Sequence, residues 1–188
     1  MTSFASLRLC VILIFAAVVV RSQTPDLTNL EESVREQITT AQTALTALTK
    51  NPATTETALA ESYGRLGEIY HAYSLTSAAR ESYLNANRLA PKDFRWIYLL
   101  GKLDQQDGHF DDAIGRYRLA LTLQPDYIAA HVNLGNIFLE LNRLDEAAES
   151  FRAALKLDQN NPARTMGLAR QLCRSAATLK QWTTSKKH

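Results

Sequence analysis

Residues 133–154 read NLGNIFLELNRLDEAAESFRAA, and this stretch decides the fold because its key residues recur earlier at a fixed interval. A Leu-Gly pair returns at a constant step of 34: Leu66–Gly67, Leu100–Gly101 and Leu134–Gly135. Further positions keep the same step: Ala79, Ala113 and Ala147; Tyr83, Tyr117 and Phe151; Ala86, Ala120 and Ala154. A period of this length predicts identical structural units stacked along one axis.

Each unit reads as two helices, the first carrying the Leu-Gly pair and the second the alanines and the aromatic residue. The turns between them are predicted at Ser74, Gly108 and Asn142. Glycine and asparagine tolerate the left-handed backbone that ends a helix. We expect Asp111 and Asp145 to cap the second helices of their units. We also expect the second helices of the first two units to end at Pro91 and Pro125.

Amphipathic segments are predicted on both sides of the array. Thr28 and Glu31 have the spacing of a capping box, and an apolar stripe follows to Leu48 before Asn51–Pro52 stops the helix. This leading helix is predicted to pack on the first unit, with a coiled-coil seam as the alternative. A last helix is indicated by Met166, Ala169, Leu172, Ala176 and Leu179.

The chain opens with an apolar run over residues 9–20, preceded by Arg8. This run is too short to span a bilayer as a helix and suits a secretory signal. Cleavage after Ser22 is predicted, with an uncleaved anchor as the alternative because Arg21 stands beside the site. We therefore expect an exported protein, periplasmic or secreted, that contacts a membrane only through this segment if it is retained.

Charge and cysteine content narrow the possible functions. Residues 23–158 carry 13 basic and 19 acidic residues, and the following residues carry six basic residues and no acid. Six charges spread over so long a stretch form a dilute cluster, so a solvated tail is favoured and no nucleic acid partner is expected. Cys173 is the one cysteine outside the signal, which leaves no internal disulfide and no zinc-type cysteine pair.

The repeated pattern resembles the tetratricopeptide repeat family, whose unit is two antiparallel helices in about 34 residues. The first unit has every expected residue: Tyr63, Leu66, Gly67, Tyr70, Ala79, Tyr83, Ala86 and Pro91. The second departs at Asp104, where the family has a bulky apolar or aromatic residue, so this acid either turns to solvent or finds a partner. The resemblance implies an all-α, right-handed α-solenoid with a leading helix and a C-terminal capping helix. The expected segments are 1–22 signal, 23–52 leading helix, 60–93, 94–127 and 128–161 repeat units, 162–181 capping helix and 182–188 polar tail.

In this family the first helices line a concave groove that receives a partner's peptide or helix. The resemblance implies groove residues Glu61, Gly64, Glu68 and His71; Arg95, Tyr98, Lys102 and Gln105; and Val132, Asn136, Leu139 and Glu140. The lysine-asparagine clamp of one branch of the family is not matched, because Gly64, Glu68 and Leu99 stand at its places. The expected function is a protein-interaction adaptor of the cell envelope, without enzymatic activity or a cofactor. The alternative is a structural scaffold, or the leading piece of a longer one, that self-associates.

Several single residues have two interpretations. Trp96 suits either partner binding or inter-repeat packing, and packing is favoured. Asn133 and Asn136 suit binding of a peptide backbone and a scaffold role equally. His71 and Glu68 could meet on one helix face, where a surface contact is favoured over an acid–base pair. The four histidines match no metal-ligand spacing.

Overall fold

The computed structural model describes residues 25–157, which form seven α-helices. They are α1 (Glu32–Lys50), α2 (Glu56–Ala72), α3 (Thr76–Leu89), α4 (Phe94–Gln106), α5 (Phe110–Leu123), α6 (Ile128–Glu140) and α7 (Leu144–Leu157). Helix α2 packs against α3, α4 against α5, and α6 against α7, so three helical hairpins follow α1. This is the predicted all-α repeat architecture. The signal, the capping helix and the polar tail expected at 1–22, 162–181 and 182–188 lie outside the described residues.

The turn inside each hairpin has the same backbone geometry. Ser74, Gly108 and Asn142 have φ values of 59°, 77° and 57°, at the positions that the repeat register predicts. The amide of the next residue donates to a carbonyl five residues back; at Leu75 the acceptor is the Tyr70 oxygen, at 2.9 Å. This bond satisfies a carbonyl left free at the helix end. Ser74 adopts the left-handed conformation although its side chain does not favour it.

Two predictions about helix starts are wrong. Thr28 forms no capping box, because its amide and hydroxyl both donate to Asp26 Oδ1, at 2.9 and 2.6 Å, in the turn before α1. These bonds also lower the pKa of Asp26. Asp111 and Asp145 are not caps either, because α5 and α7 begin one residue earlier. Both carboxylates lie in a first turn, where the helix dipole favours them.

Helix ends are placed as predicted. Helix α3 ends two residues before Pro91 and α5 two residues before Pro125, and α1 ends at Lys50, just before Asn51. Proline cannot continue a helix, and it also disfavours helical backbone at the residue before it. The connections between successive hairpins are therefore short, and each new hairpin begins close to the previous one.

Close approach of paired helices depends on the repeated glycine. A Cβ atom at Gly135 would lie 2.5 Å from Phe151 Cε1, and one at Gly67 would lie 2.7 Å from Tyr83 Cδ1. The aromatic rings fill the space that the missing side chains leave, and both rings are fully buried. Each hairpin thus has its own aromatic core residue; Tyr83 belongs to one buried cluster, and Tyr117 and Phe151 belong to a second.

Helix α1 covers the open side of the first hairpin. Ile38 is fully buried in the cluster that includes Leu66 and Tyr70. Gln42 Nε2 donates to the Tyr70 hydroxyl at 2.8 Å, and the Tyr73 hydroxyl donates to Gln37 Oε1 at 2.8 Å. The apolar face of α2 that a preceding repeat would otherwise cover is buried by α1.

Candidate partner-binding surface

Helices α2, α4 and α6 are consecutive neighbours, and direct side-chain contacts join them. Arg95 of α4 donates to Glu61 of α2, and Asn133 of α6 donates to Tyr98 of α4 at 3.2 Å. We call the residues that these three helices were predicted to show to a partner the inner surface. It comprises Glu61, Glu68, His71, Arg95, Tyr98, Lys102, Gln105, Val132, Asn136, Leu139 and Glu140.

Arg95 is engaged within the chain. Its guanidinium donates to Glu61 and Asp93 and lies 4.6 Å from the centre of the Trp96 ring. The hydrogen bonds that Arg95 donates to Asp93 and Glu61 raise its pKa. Glu61 and Asp93 accept the hydrogen bonds that we expected Arg95 to donate to a ligand. Arg95 therefore holds α2 and α4 together.

His71 also bridges α2 and α4. Its Nε2 lies 2.9 Å from Gln106 Oε1, and its Nδ1 lies 3.4 Å from the Tyr83 hydroxyl. A neutral imidazole with its proton on Nε2 satisfies both contacts, since it donates to Gln106 and accepts from Tyr83. Glu68 is not among its hydrogen-bond partners in the described part of the chain, and this favours the structural interpretation of His71.

A tyrosine–amide network joins α4, α5 and α6. Asn133 Nδ2 donates to the hydroxyls of Tyr98 and Tyr117, at 3.2 Å each, and the Tyr117 hydroxyl donates to Gln105 Oε1 at 2.8 Å. The Tyr98 ring also meets the Tyr127 ring edge-on, with centroids 4.8 Å apart. Burial raises the pKa of Tyr98 to about 12. Asn133 therefore has the scaffold role, and Tyr98 forms part of a rigid floor.

Three charged groups of the inner surface remain unpaired within residues 25–157. Glu68 and Glu140 are exposed and Lys102 is half-buried, and among the described residues none of them makes a hydrogen bond or an ion pair. Glu68 and Lys102 occupy the same register in the first and second units. In the third unit, Val132 and Leu139 lie half-buried, packed on the core cluster. The inner surface thus combines free charge with accessible apolar area.

Gly64 does not face the groove as the resemblance implied. A Cβ atom there would lie 2.1 Å from Trp96 Cη2, so the indole of α4 covers this glycine. Trp96 is 2% exposed, which confirms the packing interpretation of this residue. Its Nε1 is buried and has no hydrogen-bond partner among the described residues.

The Asp104 carboxylate is buried and pairs with two arginines instead of facing solvent. The residue is 2% exposed and accepts from Arg80 Nη1 at 2.5 Å and from Arg116 Nε. Arg80 also donates to Asp107 at 2.7 Å. A buried carboxylate is tolerated only when charge and hydrogen bonds compensate it, and the two arginines, from α3 and α5, supply both. Sequence reasoning missed them, although Arg116 has a readable signal: serines occupy its register in the other units, at Ser82 and Ser150.

Two further features of residues 25–157 concern metal binding and membrane crossing. No group of three or more His, Cys, Asp and Glu residues there could hold a metal ion. Within the same residues, no helix combines the length and the apolar character needed to cross a bilayer.

Paired helices, a 34-residue period and a left-handed turn in each unit define an α-solenoid of helical hairpins. A family model described as tetratricopeptide repeat matches residues 98–162. Over these residues the chain carries tetratricopeptide repeat sequence.

One curated relative is the protein O-mannosyl-transferase TMTC3 of Homo sapiens, 28% identical over 111 residues. The match covers 51% of this chain but only 12% of that protein, so the chain spans about an eighth of the relative's length.

Solved structures share the fold. BtubC from P. vanneervenii superposes with a TM-score of 0.73 at 17% identity, over 83% of this chain and 70% of that one. The Yersinia enterocolitica type III secretion chaperone SycD, in complex with a peptide of the translocator YopD, has a TM-score of 0.62 at 19% identity. That likeness covers 68% of this chain and 98% of SycD.

Proposed function

We propose that this protein is a non-enzymatic interaction module that holds a peptide or helix of a partner protein against its inner surface. The observation that carries the proposal is the combination of free and fixed groups there. Within residues 25–157, Glu68 and Lys102 are unpaired, and Val132 and Leu139 are partly accessible, on helices that Arg95 and the tyrosine network hold together. A preformed surface binds without the cost of ordering its side chains.

The proposal extends to where the protein acts. The apolar run at residues 9–20 directs export, so the partner is a protein of the cell envelope or the extracellular space. SycD, which shares the fold, is seen with a bound peptide, and this supports a peptide or helix as the ligand. The glycosyl-transfer activity named for TMTC3 is not assigned to this chain.

Photo-crosslinking in intact cells tests the proposal. A benzophenone amino acid replaces Lys102 in one variant and Leu119 in the other, because Leu119 is 49% exposed and lies on the outer helix α5. We expect one dominant crosslinked protein from position 102 and none of the same mass from position 119. Equal labelling of many proteins from both positions would contradict a dedicated inner-surface partner.

A scaffold is the second candidate function, and one observation favours it. Leu141, in the turn between α6 and α7, and Leu157, at the end of α7, are 37% and 41% exposed. Exposed leucines offer apolar area to the segment that follows residue 157, to a further unit or to a second copy. Size-exclusion chromatography with light scattering separates the candidates: a monomer that binds partners supports the adaptor, and concentration-dependent oligomers reduced by Leu157→Lys support the scaffold.

A further inference from the structure

We propose that the outer helices carry a second surface, separate from the inner surface, that docks on an anionic lipid membrane. It is formed by the last six residues of each of α3, α5 and α7, and we call it the outer strip. The outer strip comprises residues 84–89 (LNANRL), 118–123 (RLALTL) and 152–157 (RAALKL), which share one register of the repeat. No residue of the inner surface belongs to it, so this inference does not depend on the proposed function.

The outer strip contains bases and no acid. Its charged residues are Arg88, Arg118, Arg152 and Lys156. The first six residues of the same three helices carry six acids and one base, so the charges are separated along the outer helices. Helix dipoles alone do not account for this separation, because α4 and α6 have neither an acid in the first turn nor a base in the last.

The bases of the outer strip are available to a ligand. Arg152 and Lys156 are exposed, and neither makes a hydrogen bond or an ion pair within residues 25–157. Arg88 and Arg118 are exposed as well, and Arg118 lies 3.6 Å from Glu146. An ion pair between such exposed groups contributes little stability, so Arg118 can turn to a lipid phosphate at little cost.

Exposed leucines stand among these bases. Four leucines of the outer strip are 37% to 49% exposed: Leu84, Leu119, Leu123 and Leu157. Their positions in the repeat are irregular, since Leu84 has the register of Arg118. A protein partner would need a separate pocket for each leucine, whereas lipid acyl chains accept them wherever they lie. Binding to a membrane interface grows with the apolar area buried and with attraction to anionic lipids, and the outer strip supplies both.

The sequence that follows the outer strip adds to its charge. Helix α7 ends at Leu157, and residues 159–188 carry six bases and no acid. A dilute set of bases attracts anionic lipids weakly by itself, but it adds to the attraction of the bases beside it. A membrane contact outside residues 9–20 was not expected from the sequence, because the leucines of the outer strip come together only in the folded array.

Fluorescence of the full chain on lipid vesicles tests the inference. The environment-sensitive dye NBD is attached at position 119 (Leu119→Cys) or, as the control, at position 141 (Leu141→Cys), with Cys10 and Cys173 replaced by serine in both. Leu141 is also an exposed leucine, but it lies in the turn between α6 and α7, outside the outer strip. The vesicles contain either phosphatidylcholine alone or equal parts of phosphatidylcholine and phosphatidylglycerol. Because the dye reports only its own surroundings, insertion of residues 9–20 does not mimic contact by the outer strip.

We expect the dye at position 119 to shift to the blue on vesicles with phosphatidylglycerol and the dye at position 141 to stay unchanged. One base near an anionic surface is worth about fivefold in binding, so Arg152→Gln with Lys156→Gln should raise the lipid concentration at half the shift by roughly twentyfold. The control, Lys50→Gln with Arg65→Gln, removes the same charge from exposed positions on α1 and α2. It should change that concentration by less than about twofold, because salt screens charges outside the contact.

A dye at position 119 that does not respond, or responds equally to both kinds of vesicle, would overturn the membrane-docking role of the outer strip. An equal shift at position 141 would overturn it too. A protein crosslinked from position 119 in cells, without any response to vesicles, would overturn it in favour of an acidic protein partner. Each of these results leaves the inner surface as proposed, because crosslinking from position 102 tests that surface separately.

Discussion

Replacing Gly64 by alanine separates two effects that act in opposite directions. In the middle of a helix, alanine is favoured over glycine by about 1 kcal/mol. At position 64, however, the new methyl group would lie 2.1 Å from Cη2 and 2.2 Å from Cζ3 of the Trp96 ring. Non-bonded carbon atoms never approach so closely, so either the indole leaves its site or α2 and α4 move apart.

The magnitude follows from what the indole loses. Trp96 is 2% exposed in the cluster formed by α1 to α4, and loss of packing for a large buried aromatic residue costs roughly 3–5 kcal/mol. After the helix-propensity gain is subtracted, we expect Gly64→Ala to lower the free energy of unfolding by about 2–4 kcal/mol. With a urea m-value of about 2 kcal/mol/M, the unfolding midpoint falls by roughly 1–2 M.

Gly115 provides the matched control. It lies within helix α5, is exposed, and has no atom within 4 Å of the place that a Cβ would take. Gly115→Ala should therefore raise the free energy of unfolding by about 0.5–1 kcal/mol. Urea unfolding of the full chain, followed by circular dichroism, measures both variants. A Gly64→Ala variant as stable as the wild type would refute the close contact with Trp96. Trp96→Leu should be better tolerated in the Gly64→Ala background than in the wild type, because the smaller side chain admits the methyl group.

Three further predictions concern charge, pH and backbone strain. Asp104→Ala leaves Arg80 and Arg116 without their buried counter-ion, so it should lower the free energy of unfolding, measured in urea, by about 2–4 kcal/mol. Replacing both arginines by serine in the Asp104→Ala background should restore part of this free energy. Burial raises the pKa of Tyr98 to about 12, so the unfolded chain loses its tyrosine proton first, near pH 10. The free energy of unfolding should thus be constant with respect to this group below pH 10 and fall as pH rises to 12, and the fall should be smaller in Tyr98→Phe. Ser74→Gly removes the cost of a left-handed serine, so it should raise the free energy of unfolding by up to about 1 kcal/mol and raise the thermal midpoint with it. A lowered midpoint would contradict the φ of Ser74.

The architecture could be predicted because it depends on periodic residues. Leucine, glycine and aromatic positions recur once in every unit, and each position has the same physical role each time. Ser74 shows how strong this register is: position alone predicted the turn there, although serine, unlike glycine and asparagine, does not favour the left-handed backbone that the structure shows. The helix starts were predicted less well: Thr28 has two possible hydrogen-bonding arrangements, and the one with the nearby Asp26 carboxylate is formed.

The inner surface could be predicted as a list of residues but not as a set of contacts. The pairs that matter join different helices: Arg95 with Glu61, Trp96 with Gly64, and Asp104 with its two arginines. Each of these contacts depends on the offset between neighbouring helices and on the rotamer of a long side chain. The repeat pattern predicts neither. For this reason the sequence could not tell that, within the described residues, Arg95 is paired whereas Lys102 is not.

In the proposed complex, the partner binds across α2, α4 and α6 and not on the outer helices. Hydrogen exchange with mass spectrometry measures this on the full chain, with and without the protein that is crosslinked from position 102. We predict slower exchange in peptides from α2, α4 and α6 on binding, and unchanged exchange in α3, α5 and α7. Protection confined to the outer helices or to α1 would contradict binding at the inner surface.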